Sequence, residues 1–141
     1  MEYDEEHQNI LNTAVQILQQ KIPRLVAVIA FGSFGTKYER EDSDLDLAIL
    51  TEEVQSSIDI VRLWDIAQDI ARTIDLDVDL INLRSASTVF CYQILTTGSV
   101  IFCSNQLILA HFDTLIISMY LRLQEDRKDI LDDYEKGIFY A

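Results

Sequence analysis

Gly32 and Ser33 stand directly after an apolar run, RLVAVIAF, and ten residues further on Asp44-Leu45-Asp46 opens a second one. A later stretch, IDLDVDLINL, carries Asp75, Asp77 and Asp79 at alternate positions. These residue types suit one kind of chemistry, the handling of phosphate and of hard divalent cations. Glycine lets the backbone adopt positive φ and come close to a ligand. Backbone N–H groups exposed at such a turn, or at a helix start beyond it, bind phosphate, and the Ser33 hydroxyl adds a donor. Carboxylate oxygens are the ligands Mg²⁺ prefers, with water and phosphate oxygens completing its shell.

Taken singly these signals are weak. Fifteen aspartates in 141 residues make D-x-D expected about once or twice by composition alone, and it occurs four times. Gly98-Ser99 repeats the glycine–serine pair elsewhere. The information lies in placement on consecutive strands. Alternate strand residues face the same way, about 6.5 Å apart, so Asp44 and Asp46 share a face while Leu45, Leu47 and Ile49 turn to the core. On the third strand Asp75, Asp77 and Asp79 share a face. If the two acidic faces adjoin, the carboxylates repel one another unless a cation intervenes. The glycine turn is not a P-loop, since GxxxxGK[ST] is missing.

The elements that must position these residues follow from periodicity. Residues 5–21 repeat Ile10, Leu11, Ala14, Val15, Ile17 and Leu18 at helical spacing, and Pro23 ends that helix. Arg24–Phe31 and Asp44–Leu50 read as buried strands, joined to the next element by a polar connection over 51–57. Residues 58–73 form a helix with Ile60, Leu63, Trp64, Ala67, Ile70 and Ala71 on its inner face. Ile74–Leu83, with strict period two, is the third strand. A helix over 85–97, capped by Ser85 or Ser87 and closed by Gly98, leads into a short strand, 99–103. A long helix covers about 105–136, apolar in its first half and charged in its second. Trp64 and Phe34 are expected in the core. His7 and His111 are expected to be isolated, His111 within a core or an interface. The surplus apolar residues of the last helix, including Leu115, Met119 and Leu123, are expected to pack on the domain or to cover a partner. The fold class is α+β, a small mixed sheet flanked by helices, forming one domain over 1–141 with a catalytic core at about 5–105.

The composition sets limits. Hydrophobic residues make up 49% of the chain, enough for a core. With 24 acidic residues against 11 basic, the net charge of −13 argues against direct nucleic-acid binding through a phosphate-neutralising surface; it suits solubility, a basic protein partner or divalent cations. Cys91 and Cys103 have no zinc-type spacing and read as reduced, buried thiols. The acidic N-terminus is unlike a signal peptide and no apolar run reaches 18 residues, so no membrane span and a cytoplasmic location are expected.

Gly32-Ser33, ten residues, then Asp44-Leu45-Asp46 resembles the G-S-x(n)-D-x-D signature of the polymerase-beta-like nucleotidyltransferase superfamily. The wording GSFG…SDLDLAIL, followed by a VDLI strand, looks most like its minimal members, the MNT-domain antitoxins of the MntA type encoded with HEPN-domain toxins. The resemblance covers about residues 5–105. It implies that Gly32 and Ser33 hold the triphosphate of ATP and that Asp44 and Asp46 bind two Mg²⁺ ions. It makes Asp79 the third carboxylate, with Asp77 as the alternative. It also implies AMP transfer to a tyrosine hydroxyl of a HEPN-type toxin, neutralising it, with an oligomer between the two proteins. A tyrosine, ordinarily with a pKa near 10, needs activation to react at neutral pH. Two other functions remain open: a catalytically silent antitoxin acting by contact, and a small-molecule nucleotidyltransferase. The only basic residues close to the motif are Lys37 and Arg40.

Overall fold

The first helix, α1 (Glu5–Lys21), starts where Asp4 accepts a hydrogen bond from the His7 N–H and stops where Pro23 forbids another turn. It is followed by β1 (Leu25–Phe31), β2 (Leu45–Thr51), α2 (Ile60–Ile74), β3 (Val78–Asn82), α3 (Thr88–Thr97), β4 (Ser99–Cys103) and α4 (Gln106–Glu135). This computed structural model describes residues 3–52 and 58–135. Most of the polar connection expected over 51–57 lies outside the described residues.

The strands form one mixed sheet in the order β3-β2-β1-β4. β1 runs antiparallel to both β2 and β4, whereas β2 and β3 are parallel. The crossover between those parallel strands is α2, as a parallel connection requires. Because β1 lies inside the sheet with a helical layer on each face, Val26 to Ala30 are all buried. This is why it reads as a continuous apolar run rather than an alternating one.

Two cores result. One face of the sheet, through Val28, Leu45, Leu47 and Ile49, packs against Leu11, Ala14 and Leu18 of α1 and Leu63, Ile66 and Ile70 of α2. The other, through Ala27, Ile29, Ala48 and Leu50, packs against Cys91 and Ile94 of α3 and Phe112 and Ile116 of α4. The α+β architecture read from the sequence holds, as do the helices at both ends.

The structure corrects four expectations. The third strand is shorter than its period-two pattern: α2 continues to Ile74, Asp75 adopts a left-handed conformation (φ 56°, ψ 43°), and pairing begins only at Val78. Asp75 and Asp77 therefore precede the strand instead of sharing its acidic face. On α2 the buried set is Leu63, Ile66, Ala67 and Ile70, at i, i+3, i+4 and i+7; Trp64, expected in the core, is 62% exposed, and Ile60 is 82% exposed. His111 is exposed on α4, which excludes the core and leaves the interface of the two places read for it. His7 is not isolated, since its ring bonds Asp4 and Glu39. Phe34 is buried as expected, and Cys91 and Cys103 are both free, Cys103 only partly buried. Among the described residues no helix is long and apolar enough to cross a membrane.

Candidate active site

The site forms where β1 ends and β2 begins. At the end of β1 the chain turns through Gly32 (φ 76°) and Gly35 (φ 73°), both in the left-handed region that favours glycine. A Cβ at Gly32 would sit 2.2 Å from Oδ2 of Asp46, so only a residue without a side chain lets this carboxylate lie against the turn. No helix follows the glycines. Residues 32–44 form a loop, and the phosphate-binding helix start considered from the sequence does not occur. Instead the Ser33 carbonyl accepts the Thr36 N–H (3.0 Å) and hydroxyl (2.6 Å).

The Ser33 hydroxyl donates to Ser43 Oγ (3.1 Å), which also accepts the Arg40 N–H at 2.7 Å. This hydroxyl pair closes the ten-residue excursion, so that Ser33 and Asp44 stand near each other despite the length between them. Ser43 was not singled out from the sequence; a serine at the base of a polar loop carries no distinctive signal. Outside this hinge, His7 pins the loop to α1. Its Nδ1 contacts Asp4 at 2.6 Å and its Nε2 contacts Glu39 at 2.7 Å, while its ring meets Phe34 edge-on at 4.8 Å. Hydrogen bonds to Asp4, then Glu39, raise its pKa above the ordinary 6.5 against the opposing effect of desolvation.

Parallel pairing brings in the third carboxylate. The register sets Leu45 against Val78, Asp46 against Asp79 and Leu47 against Leu80. Asp46 and Asp79 are thus direct neighbours across the ladder, on the same face of the sheet. Asp44 lies two residues before Asp46, exposed at the strand's entrance. Burial pushes the Asp46 carboxyl above the usual carboxylate range, and the negative charges of Asp79 and Asp44 push it further. Asp77 is exposed just ahead of β3, with its carbonyl accepting the Leu45 N–H at 2.8 Å; it shares a cleft with Asp44 and Asp79. Lys37 and Arg40 are both exposed, and the Lys37 ammonium lies 5.2 Å from the Tyr38 ring. Arg72, not considered from the sequence, lines the cleft beside Asp44 and Asp75, with its guanidinium engaged by Asp69.

Among the described residues no three acidic, histidine or cysteine side chains close into a ready-made metal cage. The donor set nevertheless fits Mg²⁺. That ion takes one or two carboxylates and completes its shell with water and substrate phosphates, so an all-protein cage is not the expected form. Half-buried Asp46, crowded by two acids and paired with no cation among the described residues, is a group whose charge a bound cation would relieve.

A mixed four-stranded sheet between two helical layers, with acidic residues from two adjacent strands beside a Gly-Ser turn, defines the site of a nucleotidyltransferase. The family model described as polymerase beta, nucleotidyltransferase, matches residues 12–107, and the chain belongs to that family. It is 38% identical over 122 residues to the protein adenylyltransferase MntA of Shewanella oneidensis, a match covering 86% of this chain and 85% of the relative. It also resembles a chain of the solved complex of tri-AMPylated S. oneidensis HEPN toxin with MNT antitoxin, with a TM-score of 0.74 and 36% identity over 92% of this chain and 98% of that one. A solved toxin–antitoxin structure with AMP-PNP gives a TM-score of 0.75 and 37% identity, covering 88% of this chain and 97% of that one.

Proposed function

We propose that this chain is an antitoxin that transfers AMP from Mg–ATP to a hydroxyl, a tyrosine, of a partner HEPN-domain toxin and so neutralises it. The observation that carries the reading is the pairing of Asp46 with Asp79 across two parallel strands, with Asp44 at the entrance and Gly32 leaving room for the Asp46 carboxylate. Support from outside the chain comes from the relative named a protein adenylyltransferase, and from similar chains solved with AMP-PNP and with an AMPylated HEPN toxin.

In this reading Gly32 and Ser33 bind the triphosphate, the glycine through close backbone approach and the serine through its hydroxyl. Asp44 and Asp46 would hold two Mg²⁺ ions, with Asp79 as the third carboxylate. Asp79 is preferred to Asp77 because it is Asp46's partner in the ladder, whereas Asp77 precedes the strand. When bound, the ions supply charge stabilisation for the entering and leaving oxygens of an in-line displacement at the α-phosphorus. The carboxylates orient the acceptor hydroxyl, and the loop tied by Ser43 and His7 keeps the phosphate cradle in line with them. The whole chain acts as one domain, and a donor of ATP together with free thiols fits a cytoplasmic location.

The test is incubation of the purified protein with its HEPN partner, Mg²⁺ and ATP, followed by intact mass of the partner. A gain of one or more AMP units supports transfer. Full neutralisation of the toxin with no mass gain would instead establish inhibition by contact alone.

A further inference from the structure

We propose that the outer edge of β3 is an acceptor groove, binding an extended segment of the protein partner that is basic on one side of the modified hydroxyl and apolar on the other. This rests on the reading of the chain as a protein-modifying nucleotidyltransferase and adds how the acceptor is recognised.

β3 is an edge strand. The Leu45 N–H bonds the Asp77 carbonyl and the Leu83 N–H bonds the Ile49 carbonyl, so odd-numbered residues of this segment face β2. By alternation, the backbone N–H and C=O of Val78 and Leu80 point away from β2, on the side where the described sheet has no further strand. An open edge of this kind is a template for an added strand.

Three adjoining clefts follow that edge. One, of about 450 Å³, is acidic and includes Glu41, Asp42, Asp75 and Asp77. The next, of about 560 Å³, lies between α2 and β3 and holds Asp44, Asp79 and Trp64. The last, of about 270 Å³, is mostly apolar and includes Ile60, Leu80, Asn82 and Phe90. The first two share Asp44 and Asp77, and the second and third share Ile60, Leu63, Leu80 and Ile81. They make one trench with Asp44 and Asp79, two of the three proposed metal-binding carboxylates, in its middle, an acidic arm on one side and an apolar arm on the other.

The apolar arm contains a second pointer to a ligand. Asn82 is only 6% exposed, and its amide nitrogen has no hydrogen-bond partner among the described residues, while its Oδ1 accepts the Arg84 N–H at 3.1 Å. A buried donor without an acceptor is unfavourable, and a peptide carbonyl in the trench would satisfy it. Ile60 and Trp64 stand on the rim, 82% and 62% exposed, with Val61 exposed beside them, an adjoining apolar set of the kind that marks an interaction site. A peptide meets all of these features together: backbone for the edge, a carbonyl for Asn82, an apolar side chain for the Ile60 end and a basic one for the acidic arm. A second copy of this chain would bring its own acidic arm against the first.

The test is steady-state AMP transfer to the cognate HEPN-domain toxin, with hydrogen exchange of the same complex in Mg–AMP-PNP. Ile60→Asp and Trp64→Ala change exposed side chains and leave folding intact, which thermal melting checks. Each is expected to raise KM for the toxin roughly tenfold while kcat moves less than about threefold, with Mg–AMP-PNP affinity unchanged. The double change Glu41→Lys with Asp42→Lys raises KM as well. The amides of Val78 and Leu80 gain protection when the toxin is added. Transfer with KM within twofold of the unmodified chain, or no added protection at those amides, overturns the groove and leaves the adenylyltransferase reading standing. Protection that instead grows with the concentration of this chain alone makes the edge a self-association site and also overturns it. If the unmodified chain transfers AMP to no protein, the acceptor and its groove fall together.

Discussion

If Asp46 holds metal as proposed, the close approach of its carboxylate to Gly32 makes the glycine a requirement of transfer as well as of the turn. In Gly32→Ala the new methyl meets the carboxylate at 2.2 Å in a backbone of φ 76°. The strain costs about 1–3 kcal/mol, and because Asp46 must move, AMP transfer is expected to fall about a hundredfold or more, as rate assays on the folded variant will register. Asp46→Asn separates the two effects of this residue. It is expected to lower transfer by roughly two orders of magnitude or more, since the ion it is proposed to hold would contribute several kcal/mol. In metal-free buffer its melting temperature should rise, because a carboxylate crowded by Asp79 and Asp44 has been removed. His7 gives a pH signature. Its raised pKa means that its contribution is complete below the ordinary value of 6.5 and is lost as the pH climbs through the higher folded-state value. The stability difference between the natural chain and His7→Ala, at most about 1 kcal/mol for such exposed pairs, should therefore be largest below pH 6.5 and shrink above it in melts across pH. The Gly-Ser and D-x-D residues were legible through their placement on consecutive strands, since their types alone recur elsewhere in the chain. His7 was not, since its partner Glu39 lies 32 residues away in a loop with no periodicity.

At the scale of elements, α2 carries much of the positioning. It bridges the two parallel strands, and its start depends on Asp59, whose side chain accepts the Arg62 N–H at 2.8 Å. Asp59→Ala is expected to lower stability by about 1 kcal/mol, measurable by urea denaturation, with little change in transfer at temperatures where the variant is folded. The strand and helix order was readable from alternation and 3.6-residue spacing. The errors had specific causes. IDLDVDLINL alternates throughout, yet α2 keeps Ile74 and the left-handed Asp75 breaks the chain's direction before the ladder starts at Val78. Likewise Trp64 fits the helical stripe of Ile60, Leu63 and Ala67, but the sheet ends at β3, so the flank carrying Ile60 and Trp64 overhangs an edge instead of a core. Hydrophobic pattern records which way a side chain faces along a helix, and says nothing about how wide the opposing surface is.

At the scale of the molecule, charge and ligand are linked. Mg–AMP-PNP at a hundred times its dissociation constant should add about 2.7 kcal/mol of stability, seen as a rise in melting temperature that Asp46→Asn abolishes. The net charge of −13 predicts that association with a basic partner slows as salt is added. The thirty-residue α4 buries only Phe112 and Ile116 in the core and stacks Tyr120 on Tyr92 with ring centroids 3.7 Å apart, leaving Leu115, Met119, Leu121 and Leu123 on its outer side. The surplus apolar surface read from the sequence is therefore present. The two connections that lead to the carboxylates differ in how freely they can evolve. Between Ser33 and Ser43 the chain leaves and returns at a hydroxyl pair and is held further out by the His7–Glu39 contact, so homologues can lengthen or shorten it between those anchors without displacing Asp44. Between Asp75 and Val78 there is no such slack. One residue gained or lost there would rotate every side chain of β3 to the opposite face, burying an aspartate under α2 and presenting a leucine to the proposed metal site, so natural variation in length should be confined to the first connection and absent from the second.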